Sequence, residues 1–414
     1  MAIHRILSGK NEIEFGTGDN LLEPVAKRPK IACNNPMDAL ADPIGSPSLE
    51  ILAEKASSIT VILPDATRAW QRVNLMAEAV RDVIGKPAVD WIIAGGQHRF
   101  PTDEELVLLL GNARREGDRV HFHDPELAAD TGRVTSGGNR VTMHGVALDA
   151  DLVVMVGGIA YHELAGFSGG RKTLIPGISG RSSIVANHSM CLEGERVSPL
   201  IGCGRLEGNP VHEDMMEYAR LALLGKKAFL LNVIPDERGI PWRYVAGDPF
   251  TAWRKGVEIA SDLQTLYVDG KADWVVVSSG GYPYDIDLYQ ATKSVTAVMD
   301  GLKPGGTIVM VAGLEDGLGP GSYGEALEMS MADPSAVLAG LKKGFTIPAF
   351  CAFKLVQDLS EHPALLVTPV KDVPFPGIVC ETMEEAIGSI PKKVFSGGRG
   401  IVLPAGNCVS LKGK

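Results

Sequence analysis

From Ser57 onward, short apolar runs alternate with segments whose apolar residues have helical spacing, and this alternation narrows the fold to a few classes. The runs are short enough to be buried strands, and each is followed by glycine or proline. Strands that alternate with helices are typical of parallel βαβ units in a doubly wound sheet. The predicted strands cover residues 58–63, 89–94, 152–156 and 228–234, with helices over 72–84 and 211–224.

The same pattern restarts after residue 268. Strands are predicted over residues 274–277, 307–312, 364–367 and 400–403, with a helix over 287–299. A chain of 414 residues is long enough for two full cores. We therefore predict an α/β fold of two domains with mostly parallel, Rossmann-like sheets, residues 1–268 and residues 269–414, and an active-site cleft between them. A return of the last strand to the first domain is left open.

Charge and cysteine content exclude several classes of protein. The formal net charge is −10 and there is no basic cluster, which argues against a nucleic-acid partner. The first residues lack the apolar core of a signal peptide, and no apolar run approaches the length of a membrane span, so we expect a cytoplasmic protein with no membrane partner. The six cysteines form no C-x-x-C pair, which argues against a zinc site or a disulfide framework.

The stretch from Asp151 to Glu193 carries a strand followed by a glycine-rich loop with a lysine, Lys172. Backbone N–H groups of such a loop can gather around a phosphate. The segment G-F-S-G-G-R-K-T nearly matches a P-loop, but Arg171 replaces the last glycine and Pro176 would break the helix that a P-loop requires. Two roles for Lys172 stay open, an anion ligand and a nucleophile that holds a cofactor covalently.

Ionisable residues follow three strands of the first domain, and the carboxyl ends of parallel strands share one edge of the sheet. They are Asp65, His98 and His162. Two histidines on one edge could serve as acid and base on opposite faces of a substrate, whereas either alone would more often satisfy a loop backbone. Arg68 could grip a carboxylate, or it could be a structural arginine.

Three further residues are candidates outside these strand ends. His188 is a lone candidate metal ligand, with a satisfied structural histidine as the alternative. Gln290 and Lys293 are three residues apart, so on a helix they share a face and could bind a carboxylate or a hydroxyl. The alternative is a solvated helix surface.

Together the motifs PDATR, GGQHR, HELAGFSGGRKTLIPG, ANHS and GGYPYDIDLYQATK resemble, in order, those of the nickel-dependent lactate racemase family. The resemblance runs from about residue 60 to 295 and is densest between residues 157 and 188. It implies a racemase or epimerase that inverts C2 of a 2-hydroxy acid by hydride transfer to a nickel-pincer nucleotide. It also implies cofactor-synthesis enzymes as partners in maturation.

The resemblance further implies roles for individual residues. Lys172 matches the lysine that tethers the cofactor as a thioamide, and His188 matches the protein ligand of nickel. The other matches are His98 and His162 as the acid/base pair, Arg68, Gln290 and Lys293 as substrate contacts, and Asp65, Ser168, Gly169 and Gly170 as cofactor surroundings.

Departures from the family pattern lie in the expected pocket walls. Phe100 separates His98-Arg99 from Pro101, Ala69-Trp70 follows PDATR where the family commonly has proline, and a family aromatic is not evident in residues 347–351. These changes favour a substrate other than lactate, bulkier or polyhydroxylated. Two alternatives stay open, an epimerase or isomerase of free sugars at the same site and a non-catalytic carrier of the cofactor or of a phosphorylated metabolite.

Overall fold

A computed structural model describes residues 2–27, 32–86, 88–96, 100–319 and 321–413. The strands, in chain order, are β1 (Ala2–Ser8), β2 (Asn11–Thr17), β3 (Val25–Ala26), β4 (Ile59–Pro64), β5 (Asp90–Ala94), β6 (Arg119–Phe122), β7 (Ala129–Val134), β8 (Arg140–Met143), β9 (Leu152–Gly158), β10 (Tyr161–His162), β11 (Gly166–Phe167), β12 (Leu192–Glu193), β13 (Arg196–Val197), β14 (Lys227–Pro235), β15 (Pro241–Gly247), β16 (Thr265–Val268), β17 (Ala272–Ser278), β18 (Leu302–Val311), β19 (Ala364–Val367), β20 (Ile378–Cys380), β21 (Gly400–Leu403) and β22 (Ser410–Gly413).

The α-helices are α1 (Pro36–Ala41), α2 (Leu49–Glu54), α3 (Val73–Ile84), α4 (Asp103–Leu110), α5 (Gly145–Asp149), α6 (Arg181–Ser189), α7 (Pro210–Ala222), α8 (Thr251–Gln264), α9 (Leu288–Ala291), α10 (Lys293–Val298), α11 (Tyr323–Ala332), α12 (Pro334–Lys343), α13 (Ile347–Leu359), α14 (Met383–Ser389) and α15 (Lys392–Phe395). Short 3-10 helices cover Ala66–Gln71, Gly170–Thr173, Met299–Gly301 and Gly406–Cys408. Among the helices of the described residues, none has both the length and the apolar character that crossing a membrane requires.

The chain divides into two compact units. The first unit comprises residues 28–190 and 204–263, and the second comprises residues 1–27, 191–203 and 264–414. This division differs from the predicted domain 1–268, because β3 pairs with β16 and the amide of Gly9 donates to the Asp285 side chain, which ties the start of the chain to the second unit. The last predicted strand, residues 400–403, is β21 and lies in the second unit, where it pairs with β17. β22, which follows it, pairs with β16 in the same unit.

The first unit is built on a six-stranded sheet of order β15-β14-β9-β4-β5-β6, in which only β15 is antiparallel to its neighbour. Every residue of β9 is buried, as expected for a parallel strand covered on both faces. Helix α3 ends at Gly85 in the left-handed conformation, and α4 begins with a capping box formed by Thr102 and Glu105. The core packs Val61, Val154 and neighbouring side chains against these helices.

The second unit contains a five-stranded parallel sheet of order β20-β19-β18-β17-β21. A three-stranded sheet of order β22-β16-β3 joins the two ends of the chain to this unit. The predicted α/β fold with two mostly parallel sheets is therefore confirmed, while the cleft between the units stays a prediction.

The helix predicted over 287–299 differs in the structure. It consists of α9, α10 and a 3-10 turn, because the hydroxyl of Thr292 donates to the Tyr289 carbonyl at 3.1 Å and that of Ser294 donates to the Ala291 carbonyl at 2.7 Å. Such side-chain bonds compete with helical backbone bonds and bend the chain.

Candidate active site

The carboxyl ends of three adjacent parallel strands bring polar groups to one edge of the first unit's sheet. β4 ends beside Asp65, which is 7% exposed, and β9 ends at Gly157-Gly158. In the neighbouring β14, Asn232 lies opposite Gly157 in register and is fully buried. Ligands of open α/β sheets bind at this edge, where Asp65 and Asn232 lie, and the convergence of Asp65 with His98 and His162 stays a prediction.

The glycine-rich loop after β9 needs its glycines for conformation and for space. Gly169 and Gly170 have φ angles of 71° and 52°, in the left-handed region that side chains rarely adopt. A Cβ on Gly169 would lie 2.6 Å from Asn232 Oδ1, and one on Gly170 would lie 2.5 Å from Cδ1 of Trp253. The two glycines thus let the backbone pass close to β14 and α8.

Ser168 fixes the entry to this loop with its side chain. Its hydroxyl donates to the Gly158 carbonyl at 2.8 Å and accepts from the Ala160 amide at 2.9 Å. The hydroxyl therefore bonds to backbone on both of its sides. A cofactor contact of Ser168, as the family resemblance implies, would have to share this group.

Lys172 lies in the 3-10 turn that ends the loop. Its amide donates to the Gly169 carbonyl and its carbonyl accepts from the Gly177 amide, both at 3.1 Å. The side chain is half-buried, and its positive charge contributes to lowering the pKa of His188. The loop then passes through the cis bond Ile175–Pro176 and meets the end of β5, where the Gly96 amide donates to the Gly177 carbonyl at 3.2 Å.

His188 lies on α6 with 2% of its surface exposed. Its Nδ1 bonds to the Ile184 carbonyl at 3.0 Å, one helical turn earlier, so Nδ1 carries the proton and Nε2 keeps its lone pair. Burial, followed by the charge of Lys172, lowers the pKa of His188 to about 3. A neutral imidazole with Nε2 as acceptor is the form that binds a transition metal, and a carbonyl behind the ring is the usual orienting partner.

His162 lies on the β10–β11 hairpin opposite Gly166. Its Nδ1 accepts from the amides of Leu164 at 3.1 Å and Ala165 at 3.3 Å. The neutral ring therefore carries its proton on Nε2, which makes Nε2 a donor. Nε2 could act as a base only after its proton moved to Nδ1, and a protonated Nδ1 could no longer accept from the two amides.

The remaining predicted residues of the first unit are distributed as follows. Arg68 is half-exposed within the 3-10 helix that follows Asp65. His98 lies outside the described residues, so its predicted role as the partner of His162 stays a prediction.

In the second unit, Gln290 and Lys293 make the predicted contact. Lys293 Nζ donates to Gln290 Oε1 at 2.5 Å and lies 5.6 Å from the centre of the Tyr289 ring. Asp287 caps α9 by accepting from the Gln290 amide at 2.7 Å, and burial raises the pKa of this carboxyl. Both residues of the pair are half-buried, so they do not lie on a fully solvated helix face.

Sequence analysis did not assign a role to three buried residues around the loop. Arg171, Trp253 and Asn232 all contact residues 165–170. For Arg171 a signal was present, because a charged residue replaced the expected glycine. Asn232 and Trp253 lie 60 or more residues further along the chain, and nothing local to them indicates the loop.

Acid is expected to lower the free energy of unfolding of the cofactor-free protein, because buried histidines must stay neutral in the folded state. Burial lowers the pKa of both His188 and His212 to about 3 from the ordinary value of 6.5. Between these values the unfolded chain binds more protons, so the free energy of unfolding falls as the pH drops below 6.5. At pH 5, protonation of His188 in the unfolded chain should by itself lower the free energy of unfolding by about 2 kcal/mol.

Urea unfolding at pH 7 and pH 5 measures this loss. His188→Gln should lose less stability between the two pH values than the unmodified chain, and His362→Gln is the control for removal of an imidazole. An equal loss in the His188 variant would contradict the assignment.

Within the described residues no group of three or more His, Cys, Asp or Glu side chains could hold a metal. A cofactor that brings its own further metal ligands would need only His188 Nε2 from these residues. The residues fit such a cofactor in one respect, since His188, an imidazole with a lone pair on Nε2, lies near Lys172.

Comparison with known proteins gives a consistent result over most of the chain. A family model described as the lactate racemase N-terminal domain matches residues 19–198, and one described as the lactate racemase C-terminal domain matches residues 268–348. The lactate racemase of Lactiplantibacillus plantarum is 37% identical over 396 residues, covering 90% of this chain and 89% of the relative. That of Thermoanaerobacterium thermosaccharolyticum is 33% identical, with 90% and 89% covered.

Two solved structures are also similar. The lactate racemase apoprotein from T. thermosaccharolyticum has a TM-score of 0.86 and 30% identity, over 99% of this chain and all of that one. A Thermotoga maritima protein has a TM-score of 0.67 at 21% identity, over 88% of this chain and 96% of that one, which supports the fold alone.

Proposed function

Because this chain belongs to the lactate racemase family, we propose that it inverts the configuration at C2 of a 2-hydroxy acid. The chain is an enzyme, an isomerase of the racemase type. The single observation that carries the finer proposal is the loop of residues 168–173, in which Lys172 is placed near a buried, neutral imidazole whose Nε2 keeps a lone pair.

In this proposal a nickel-pincer nucleotide is the cofactor. Lys172 holds it covalently, His188 Nε2 binds its nickel, and Asp65 with Ser168, Gly169 and Gly170 surround it. When bound, the group supplies an electron sink that accepts hydride from C2 of the substrate. Enzymes that synthesise the cofactor are required for maturation, and a cytoplasmic location remains an expectation.

The protein's own side chains transfer protons to and from the substrate and orient it. His162 and His98 exchange a proton with the C2 hydroxyl, one for each enantiomer. In the tautomer that these hydrogen bonds imply, His162 presents Nε2–H, so it orients and polarises the C2 oxygen. To accept the hydroxyl proton at Nε2, the ring first moves its own proton from Nε2 to Nδ1, which ends the two bonds that Nδ1 accepts.

Arg68, Gln290 and Lys293 bind the rest of the substrate. The amide and ammonium of Gln290 and Lys293 are joined side by side, which presents donors to a carboxylate. Phe100 is 57% exposed and its ring centre lies 5.9 Å from that of Phe122, so the chain adds aromatic surface beside His98 in sequence. The departures from the family pattern at Phe100 and at Ala69-Trp70 are the basis for expecting a 2-hydroxy acid other than lactate.

Replacement of Lys293 by Met is expected to weaken substrate binding. A charge-assisted hydrogen bond contributes about 1.5–3 kcal/mol, so KM for a 2-hydroxy acid should rise about 10- to 100-fold, with a smaller change in kcat. Steady-state racemisation assays of the matured variant measure both constants. Lys255→Met, which removes an exposed lysine paired with Glu258, is the matched control. An unchanged KM would contradict carboxylate binding by Lys293.

The same assay separates the alternative of a sugar epimerase or isomerase. A neutral sugar has no carboxylate, so the Lys293 variant would then lose little affinity, and only sugars in a panel of sugars and hydroxy acids would lose optical rotation. A carrier without catalysis would bind the cofactor and change neither class.

Maturation tests the proposal as a whole. Protein co-expressed with cofactor-synthesis enzymes should contain nickel, carry a mass adduct on Lys172 and racemise a 2-hydroxy acid. An intact mass equal to that of the bare chain after such co-expression would refute it.

A further inference from the structure

Arg171, next to Lys172, buries its guanidinium in the first unit. The residue is 2% exposed, and its Nη2 donates to the Ala165 carbonyl at 2.7 Å while Nη1 donates to that of Gly169 at 3.4 Å. The guanidinium carbon lies 4.1 Å from the centre of the Trp253 ring. No carboxylate within the described ranges forms an ion pair with Arg171, and its Nε has no hydrogen-bond partner there.

Trp253 of α8 also contacts the loop directly. Its indole N–H donates to the Ser168 carbonyl at 3.0 Å. The indole also fills the space beside Gly170, where a Cβ would come within 2.5 Å of it. The guanidinium therefore stacks on a ring that is itself hydrogen-bonded to the loop. Arg171 and Trp253 contact each other, and each also binds a carbonyl of the loop, that of Gly169 and that of Ser168.

Asn232 of β14 holds the other side of the same loop. Its Oδ1 accepts from the Gly170 amide at 2.9 Å, and its Nδ2 donates to the Leu231 carbonyl at 2.9 Å. Asn232 pairs with Gly157 of β9, so its bond to Gly170 fixes the loop relative to the strand that leads into it. The loop is thus bonded from the sheet and from α8.

Such an arrangement is costly for folding alone. A buried guanidinium without a carboxylate partner carries a desolvation penalty, and burial lowers the pKa of Arg171 to about 9. An apolar side chain of similar volume would fill the space beside Trp253 at lower cost. What the guanidinium adds is a planar fork that fixes two loop carbonyls at once.

We propose that Arg171, with Trp253 and Asn232, positions the backbone of residues 168–172 so that the Lys172 amine is held in place for covalent attachment of the cofactor. This inference rests on the proposed function, since it assigns the loop's geometry to that attachment. Arg171 does not touch the substrate in this scheme and acts only through the loop. Neither the family match nor the sequence assigns it such a role.

Hydrogen exchange of the protein without cofactor tests the positioning directly. In Arg171→Lys, which keeps the charge and loses the fork, and in Arg171→Met, which loses both, amides of residues 168–174 should exchange about tenfold faster or more. Amides of β9 and β14 should stay within about twofold of the unmodified chain. Trp253→Phe, which keeps a ring and loses the indole N–H, should give a smaller increase. Arg140→Lys, an exposed arginine paired with Asp130, is the control.

Adduct formation provides the second readout. After maturation at a temperature well below the melting point of each variant, Lys172 occupancy in Arg171→Lys should fall about tenfold, whereas occupancy in the Arg140→Lys control should equal that of the unmodified chain. Wild-type exchange and wild-type occupancy in both Arg171→Lys and Trp253→Phe would overturn the proposal, even if Arg171→Met does not fold. If the unmodified protein carries no adduct, the proposed function fails. The hydrogen-exchange result still shows whether Arg171 holds the backbone of residues 168–172 in place.

Discussion

Lys172→Ala is expected to abolish both the cofactor adduct and the racemase activity. The side-chain amine is the group that would form the covalent tether, and no neighbouring residue of the loop offers another amine. Loss of the electron sink removes the route by which hydride leaves C2, so activity should fall by more than about 10⁴-fold. Intact mass and nickel content of the matured variant, compared with the unmodified chain, measure the first effect. Racemisation assays measure the second.

Lys172→Arg sharpens this test. It keeps the positive charge near His188 but replaces the amine with a guanidinium, which is a poor nucleophile. If Lys172 were only an anion ligand, the arginine variant would keep most of its activity. We expect it to be as inactive as Lys172→Ala. Full activity in either variant would remove the covalent role.

His162→Gln is expected to lose about 10²- to 10⁴-fold in kcat and to keep its nickel and its adduct. Glutamine can still donate a hydrogen bond from its amide, but it cannot take up or release a proton in the working pH range. Loss of proton transfer, with orientation retained, is therefore the change that this variant makes. Nickel content and intact mass show whether the cofactor is loaded, and steady-state kinetics in both directions give the rate.

Both directions matter because the proposal gives the two histidines opposite faces of the substrate. His162→Gln and His98→Ala should each block racemisation, and in single turnovers each should impair proton exchange with a different enantiomer. His362→Gln, in the second unit, is the control. If neither variant changed kcat while the adduct was retained, the two histidines would not be the acid/base pair. A non-catalytic carrier would instead show an adduct and no turnover in the unmodified chain.

Much of the fold could be predicted because its signals are local. The fully buried β9 is an unbroken apolar run, and the capping box at Thr102 and Glu105 lies within four residues. The helix predicted over 287–299 is present over 288–298 with a break at Thr292. The hydroxyl bonds of Thr292 and Ser294 at this break depend on side-chain rotamers, which apolar spacing does not report. The contact of Gln290 with Lys293 survived that break, since the two stay adjacent across Thr292.

In the candidate site, too, some features could be predicted from local sequence and others depend on the folded chain. Lys172, His162 and His188 could be singled out because glycine-rich loops, strand ends and ordered motifs are readable along the chain. The tautomers of His162 and His188 could not, because they are set by bonds to the Leu164 and Ala165 amides and to the Ile184 carbonyl. Those bonds exist only when hairpin and helix have formed.

By itself, the sequence determined an α/β chain with two parallel sheets and placed its reactive side chains in loops at strand ends, because apolar periodicity and glycine spacing act over short stretches. Only the tertiary structure decided that the first residues belong with the last ones, and that Arg171, Trp253 and Asn232 meet around one loop. Contacts between residues far apart in sequence depend on how the strands order in the sheet. That order is fixed by the packing of the whole core, and no single segment encodes it.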